Sequence, residues 1–195
     1  MRIPSGERPA PKGWRLGDIE IDTAARIRDS EDEVFGELRI TTTTGFGTLW
    51  LAPRLPRLFE RYPNLKIDLM LEERVLDLAK READVAIRMK EPSQADLIRR
   101  RLMEVRIRFY ASTGYVEKNG LPRTPEELNS HRLITHSPAS PQVRAGADFA
   151  LPFLASNLQS VLTVNSYFGI LQGVAQGLGV GALPDYITAD TPNLV

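Results

Sequence analysis

Cysteine is absent from the 195 residues, which excludes disulfides, thiolate metal sites and cysteine nucleophiles. Only two histidines occur, His131 and His136, too few for most protein metal sites. No apolar run reaches the roughly 18 residues that a membrane-spanning helix needs, and no signal-peptide core is visible. The expectation is a soluble, cytoplasmic chain with no membrane partner. An excess of one charge is missing too, with Lys+Arg and Asp+Glu equal at 25 each. Such a balance does not describe a general nucleic-acid-binding surface, although it leaves room for a local basic patch.

Catalytic groupings are also lacking. Asp77, Asp84 and Asp148 have no evident paired base, and His136 has no nucleophile elbow around it. Asp84, opening a strand, reads as a capping or ion-pairing residue, and His131 as a cap or a packed ring. The glycines of Gly177-Leu178-Gly179 follow a helix and precede a strand, the reverse of a phosphate-binding loop. Neither an enzyme activity, a cofactor nor a metal is expected.

What the chain does have is alternation between two apolar periods from Phe35 to Arg88. Leu38 and Ile40 open a strand that ends in four threonines, Thr41 to Thr44. Leu51, Leu55, Leu58 and Tyr62 recur at helical spacing until Pro63-Asn64. Pro56 predicts a kink or a late helix start, because an interior proline costs a helix about 3 kcal/mol. Leu65, Ile67, Leu69 and Leu71 then alternate as a strand, Val75 and Leu78 mark a short helix, and Asp84–Ile87 is a third strand. This βαβαβ order predicts an α/β fold with a mostly parallel sheet.

Flanking segments are less regular. Residues 1–17, rich in proline and glycine, predict a disordered lead-in. Residues 21–33 predict a thin, solvated helix. The run Arg99-Arg100-Arg101 reads as solvated surface. Val105, Ile107 and Phe109 predict a strand, 115–118 and 125–128 predict helical turns, and Leu133–Thr135 predicts a brief strand. Residues 136–152 resist assignment. Val161–Val164 predicts a strand, Asn165-Ser166 a cap for a helix over Tyr167–Gln176, and Gly177 its left-handed terminator.

Three strands thus end in small polar residues just before a helix, at Thr41–Thr44, Ser112-Thr113 and Asn165-Ser166. Ligands in open α/β sheets bind at such strand ends, where free N–H groups favour anions. The same residues are also what ordinary helix caps look like. Both readings stand on the sequence alone.

The order and spacing of several pieces resemble a known family. They are Gly36-Glu37-Leu38-Arg39-Ile40, Leu51-Ala52-Pro53 through Phe59-Glu60-Arg61-Tyr62-Pro63, Asp84-Val85-Ala86-Ile87-Arg88, Arg101-Leu102, Ala111–Tyr115, Gly120–Leu128, His131-Arg132, and Gly177–Val180 with Leu183-Pro184. Over about Gly36–Ile187 the chain looks like the effector-binding region of a LysR-type transcriptional regulator. The resemblance implies two α/β subdomains of the periplasmic-binding-protein kind (type 2, Rossmann-like), C-terminally incomplete. Carried over, residues 18–35 are a remnant of the linker helix, 36–90 the first subdomain and 91–195 the second. A small anionic metabolite would bind between them, contacted by Thr42, Thr43, Thr44, Phe46, Arg88, Ser112, His136 and Asn165. The resemblance also implies a homodimer, or association with relatives, through the helices matching 49–61 and 167–176. The family's helix-turn-helix has no match here, so no sequence-specific DNA binding is expected of this chain alone.

Other readings are compatible with these residues. One is a degenerate or truncated regulator without effector binding that interferes with full-length relatives. Another is a free-standing solute-binding protein, which would need an export signal that 1–17 lacks. Without a returning C-terminal segment, apolar surface along Leu65–Leu71 or Val161–Val164 is expected to lie open, making the chain marginally stable or self-associating.

Overall fold

The computed structural model describes residues 16–23, 35–73, 83–89, 98–124, 126–137 and 160–195. The alternation at Gly36–Thr42 forms β2, which pairs in parallel with β3 (Leu65–Leu71) on one side and β4 (Val85–Arg88) on the other. These are three of the strands that the apolar pattern predicts. Asp84 ties the bundle at its start, since its carboxylate accepts the Arg39 N–H at 2.9 Å. That is the capping role its sequence position suggested.

Between β2 and β3 the chain runs as one unbroken helical stretch, and its prolines explain the changes of winding. It begins as α1 (Thr44–Phe46), widens to a π-helical turn (Gly47–Leu51), tightens to a 3-10 turn (Ala52–Arg54) and settles into α2 (Leu55–Arg61). Pro53 and Pro56 each fall in the first turn of a new segment, where a missing N–H breaks no helical bond. The late helix start expected from Pro56 takes this form.

Residues 18–23 depart from the linker helix expected over 18–35, and 16–17 from the disordered lead-in. Leu16–Thr23 is a strand, β1, lying antiparallel between β4 and β5 (Ile98–Val105) in a sheet ordered β3-β2-β4-β1-β5. The physical reason is legible afterwards. Asp18-Ile19-Glu20-Ile21-Asp22-Thr23 alternates strictly with period two and is rich in β-branched residues. Its register sets Glu20 opposite Arg101 and Asp22 opposite Arg99 along the backbone. That run is part of a strand, and Arg100 and Arg101 are exposed on it, as a solvated surface requires. Residues 24–34 of the expected linker lie outside the described residues, as do 1–15, the helix at Val75 and Leu78, Asp77, Asp148 and 138–159.

The boundary between the lobes also moves. β5 belongs to the first sheet, and the chain crosses at Arg106 into β6 (Ile107–Tyr110), so the division is near 106 and not at 90/91. The second sheet has the order β6-β9-β7-β8, with β7 (Leu133–His136) parallel to both β8 (Ser160–Val164) and β9 (Val180–Pro184). Helices α3 (Thr113–Asn119) and α4 (Tyr167–Ala175) form where the sequence predicted them, and Gly177 closes α4 with φ +74°. A helical turn not read from the sequence, α5 (Asp185–Thr188), follows β9. The last residues fold back on the second lobe, where Val195 and Ala111 exchange both backbone hydrogen bonds at 3.0 Å.

Each lobe has its own apolar cluster. Ile40, Phe46, Ile87 and Val105 centre the first, and Ile134, Ile170, Val174 and Leu183 lie in the second. Met89 and Tyr186 pack against both. Leu71 and Val161 are 40% and 49% exposed on the edge strands β3 and β8, whereas Leu65, Ile67 and Leu69 are half-buried.

Gly181 shows how tightly α4 lies on the second sheet. A Cβ there would come within 2.6 Å of Ile170 Cγ2 and 2.7 Å of Val174 Cγ2, both in α4. Gly181→Ala is expected to lower stability by about 1–3 kcal/mol through overpacking. Urea midpoints of the variant and the parent chain measure the loss; an unchanged midpoint would mean that α4 has room to shift.

Candidate functional site

Parallel strands bring their carboxyl ends to one edge of each sheet, and the groups that follow those ends meet where the two lobes face each other, a region called the crevice below. From the first sheet come the threonines after β2, Glu73 beyond β3, and Arg88 at the end of β4. From the second come His136 at the end of β7, Tyr167 at the start of α4 after β8, and Tyr186 just beyond β9. Gly45 of α1 meets α4 directly, since a Cβ built on it would lie 3.3 Å from the Tyr167 Cβ. That close approach holds the two lobes together at the crevice.

The contents are polar and buried. Thr41 and Thr42 have no exposed surface, and Tyr167 is 7% exposed. Arg88 donates through Nη2 to Thr41 Oγ1 at 2.8 Å and through Nη1 to the Ile87 carbonyl at 3.2 Å. By contrast, Thr42 Oγ1 and the hydroxyls of Tyr167 and Tyr186 are buried with no hydrogen-bond partner, and the ring nitrogens of His136 are buried beside the Val164 backbone without a well-formed hydrogen bond. A buried polar atom left unmade costs about 1–3 kcal/mol, and most folded proteins avoid it. Here the strand ends of both lobes bring several such groups to one region.

Electrostatics follow from the same burial. Desolvation pulls the Arg88 guanidinium down to about 10, with Glu73 and Glu72 opposing the shift. Burial pushes the Tyr167 and Tyr186 hydroxyls well above their usual range, and the Glu73 carboxylate adds to both. His136 is pulled down to about 4 by desolvation, and the Val164 backbone offsets only part of this. Its ring stands edge-on to Tyr167, with centroids 4.4 Å apart. At neutral pH it is an uncharged imidazole offering one donor and one acceptor.

The residues expected at the site divide into groups. Thr42 and Arg88 lie at the crevice as buried polar residues, and His136 is half-buried there with its ring nitrogens enclosed. Thr43 is the cap residue of α1, but its side chain makes no capping bond, and the Thr44 N–H donates to Glu73 Oε1 at 3.0 Å. Phe46 is a core residue at 2% exposure, stacked on Trp50 at 4.7 Å and meeting Tyr186 edge-on at 5.3 Å. The Ser112 hydroxyl is engaged as the cap of α3, accepting the Tyr115 N–H at 3.2 Å, beneath a bridge to Leu194. Asn165 is exposed, and the neighbouring Ser166 does the capping. His131 sits in a buried contact with the Tyr115 hydroxyl at 3.2 Å.

Sequence reasoning included Thr41 in the strand-end segment but did not single out Glu73, Tyr167 and Tyr186. Glu73, two residues past β3, satisfied the strand-end rule that picked out the threonines. Tyr167 follows directly on a cap already recognised. Among the described residues, no group of three His, Asp or Glu side chains is placed to hold a metal ion, and no helix is long and apolar enough to cross a membrane.

The LysR substrate binding domain matches residues 31–195. The chain belongs to that family. As a LysR substrate-binding domain it is 29% identical over 170 residues to an uncharacterized HTH-type transcriptional regulator of Haemophilus influenzae, covering 87% of this chain and 59% of that protein. It is 33% identical over 99 residues to the HTH-type transcriptional regulator CrgA of Neisseria meningitidis, which is 51% of this chain and 33% of CrgA. The chain thus spans less than two thirds of these regulators' length. Among solved structures, the CrgA regulatory domain superposes with a TM-score of 0.70 at 24% identity, covering 83% of this chain and 80% of that one. Full-length AphB of Vibrio cholerae gives 0.65 at 22% identity, covering 84% of this chain and 57% of AphB. These likenesses show the fold: two sheet-containing α/β subdomains of the periplasmic-binding kind. The proteins it resembles in sequence are transcriptional regulators, not enzymes, and the general role this supports is a regulatory, effector-sensing domain.

His136 gives the site a pH signature. A base whose folded pKa lies below its unfolded value binds protons better when unfolded, so its contribution to stability is complete above about 6.5 and is lost as pH falls toward 4. The loss approaches about 3 kcal/mol for a shift of this size. His136→Gln is expected to flatten the fall in urea midpoint between pH 7 and pH 4; an equal fall in variant and parent would place the imidazole in water.

Proposed function

We propose that the chain is an effector-sensing domain that binds a small polar metabolite in the crevice between its two lobes. The single observation that carries this reading is the convergence there of buried hydroxyls and an imidazole with no hydrogen-bond partner. Thr42 comes from the first lobe, and His136, Tyr167 and Tyr186 come from the second. A ligand meeting groups from both lobes binds the closed arrangement better than an open one, and so shifts the population between them. Arg106, the crossing point between β5 and β6, is the natural hinge. In the longer regulators that the chain resembles, such closure would be the signal passed to the rest of the molecule.

The donors offered are neutral or fixed in charge at physiological pH, because burial holds His136 uncharged and the tyrosines protonated. Recognition therefore depends on hydrogen-bond geometry, with Thr42 Oγ1 and the Tyr167 hydroxyl nearest the helical run that starts at Thr44. Phe46, Trp50 and Tyr186 supply the apolar wall behind it.

Thr42→Val and Tyr167→Phe each remove one buried hydroxyl that has no partner in the unliganded chain. Both variants are expected to be as stable as the parent or more so, by up to about 1 kcal/mol, and to bind an effector found by thermal-shift screening about tenfold more weakly. Calorimetry and denaturant titration read the two effects separately. Unchanged affinity in both variants would put the effector elsewhere.

A further inference from the structure

The geometry points to Glu73 as the residue that sets which charge the crevice accepts: its carboxylate already occupies the anion position at the start of the helical run, so the site takes an uncharged, hydrogen-bonding effector, and an anionic one binds only by displacing it. This rests on the reading of the crevice as an effector site.

The strand-end threonines invited an anionic ligand, because the first N–H groups of a helix attract negative charge. In the structure that position is filled from within. The Thr44 N–H donates to Glu73 Oε1 at 3.0 Å, while the Thr43 side chain, the usual cap, makes no bond. Glu73 lies just past the end of β3, whose last residue Leu71 pairs with Thr42, and the Thr42 carbonyl accepts the Glu72 N–H at 2.8 Å. The short reach from β3 to α1 therefore follows from the parallel register.

The same carboxylate lies within electrostatic reach of the polar groups of the site. It acts on Arg88 from the first lobe and on Tyr167 and Tyr186 from the second. Tyr167 is packed against Gly45, the residue next to Thr44, and its hydroxyl is buried without a partner. A second carboxylate entering here would meet Glu73 at short range in a poorly screened setting, where like charges disfavour each other strongly. An amide or hydroxyl would meet the unpartnered tyrosines, Thr42 and His136 without that repulsion. A plain capping role for Glu73 would leave the charge preference of the site unaltered when the carboxylate is replaced, which separates the two.

The test uses acetate and acetamide, which are similar in shape and differ in charge. Each is titrated into the full 15N-labelled chain and followed at the amides of Thr44 and Tyr167. The parent chain is expected to bind acetamide more tightly than acetate. Glu73→Gln is expected to bind acetate roughly tenfold more tightly than the parent, with acetamide changed by less than about twofold. Acetate bound by the parent at least as tightly as acetamide overturns the role of Glu73, and that comparison needs no variant. An unchanged acetate affinity in Glu73→Gln overturns it equally. If neither probe perturbs these amides in either protein, the effector reading of the crevice falls, and this inference falls with it.

Discussion

Parallel pairing of β2 with both β3 and β4, and of β7 with both β8 and β9, is the constraint from which the crevice follows. Parallel neighbours end on the same side, so whatever follows each strand is delivered to a common edge. The first sheet delivers Thr42, Glu73 and Arg88 in this way, and the second delivers His136, Tyr167 and Tyr186. These residues are far apart in the chain, and only the strand order makes them neighbours.

Packing then fixes the distance between the two edges. Gly45 lets α1 approach Tyr167 more closely than any larger residue would. Met89 and Tyr186 share their apolar surface between the two cores. Tyr186 thus does two jobs, joining the lobes through its ring against Phe46 and presenting a hydroxyl with no partner to the crevice. An effector that satisfies such hydroxyls acts on the contact that couples the lobes.

Much of this was legible in the sequence. The three parallel strands between Leu38 and Arg88, the helical run between the first two, the α4 helix behind Ser166 and the turn at Gly177 all follow from period and punctuation. The strand-end pattern pointed to Thr42, and the family resemblance pointed to Arg88 and His136; all three lie where the two lobes meet. β1 was not read because its alternation is short and its charges suggested a solvated helix; its pairing with β4 and β5 is a tertiary choice. Phe46 and Ser112 illustrate the other limit. Motif position placed both near the ligand, but local structure uses one as core and the other as a cap. Glu73 escaped because an acid beyond a strand looks like solvent-facing polarity until the helix start beside it is seen.

The central claim is that the partnerless groups between the lobes wait for an effector. A crystal structure of the whole chain soaked in a mixture of small polar metabolites tests it most directly. The account predicts ligand density within hydrogen-bond distance of Thr42 Oγ1 and the Tyr167 hydroxyl. Ligand density elsewhere on the molecule, with the crevice collapsed and those groups bonded to one another, would contradict it.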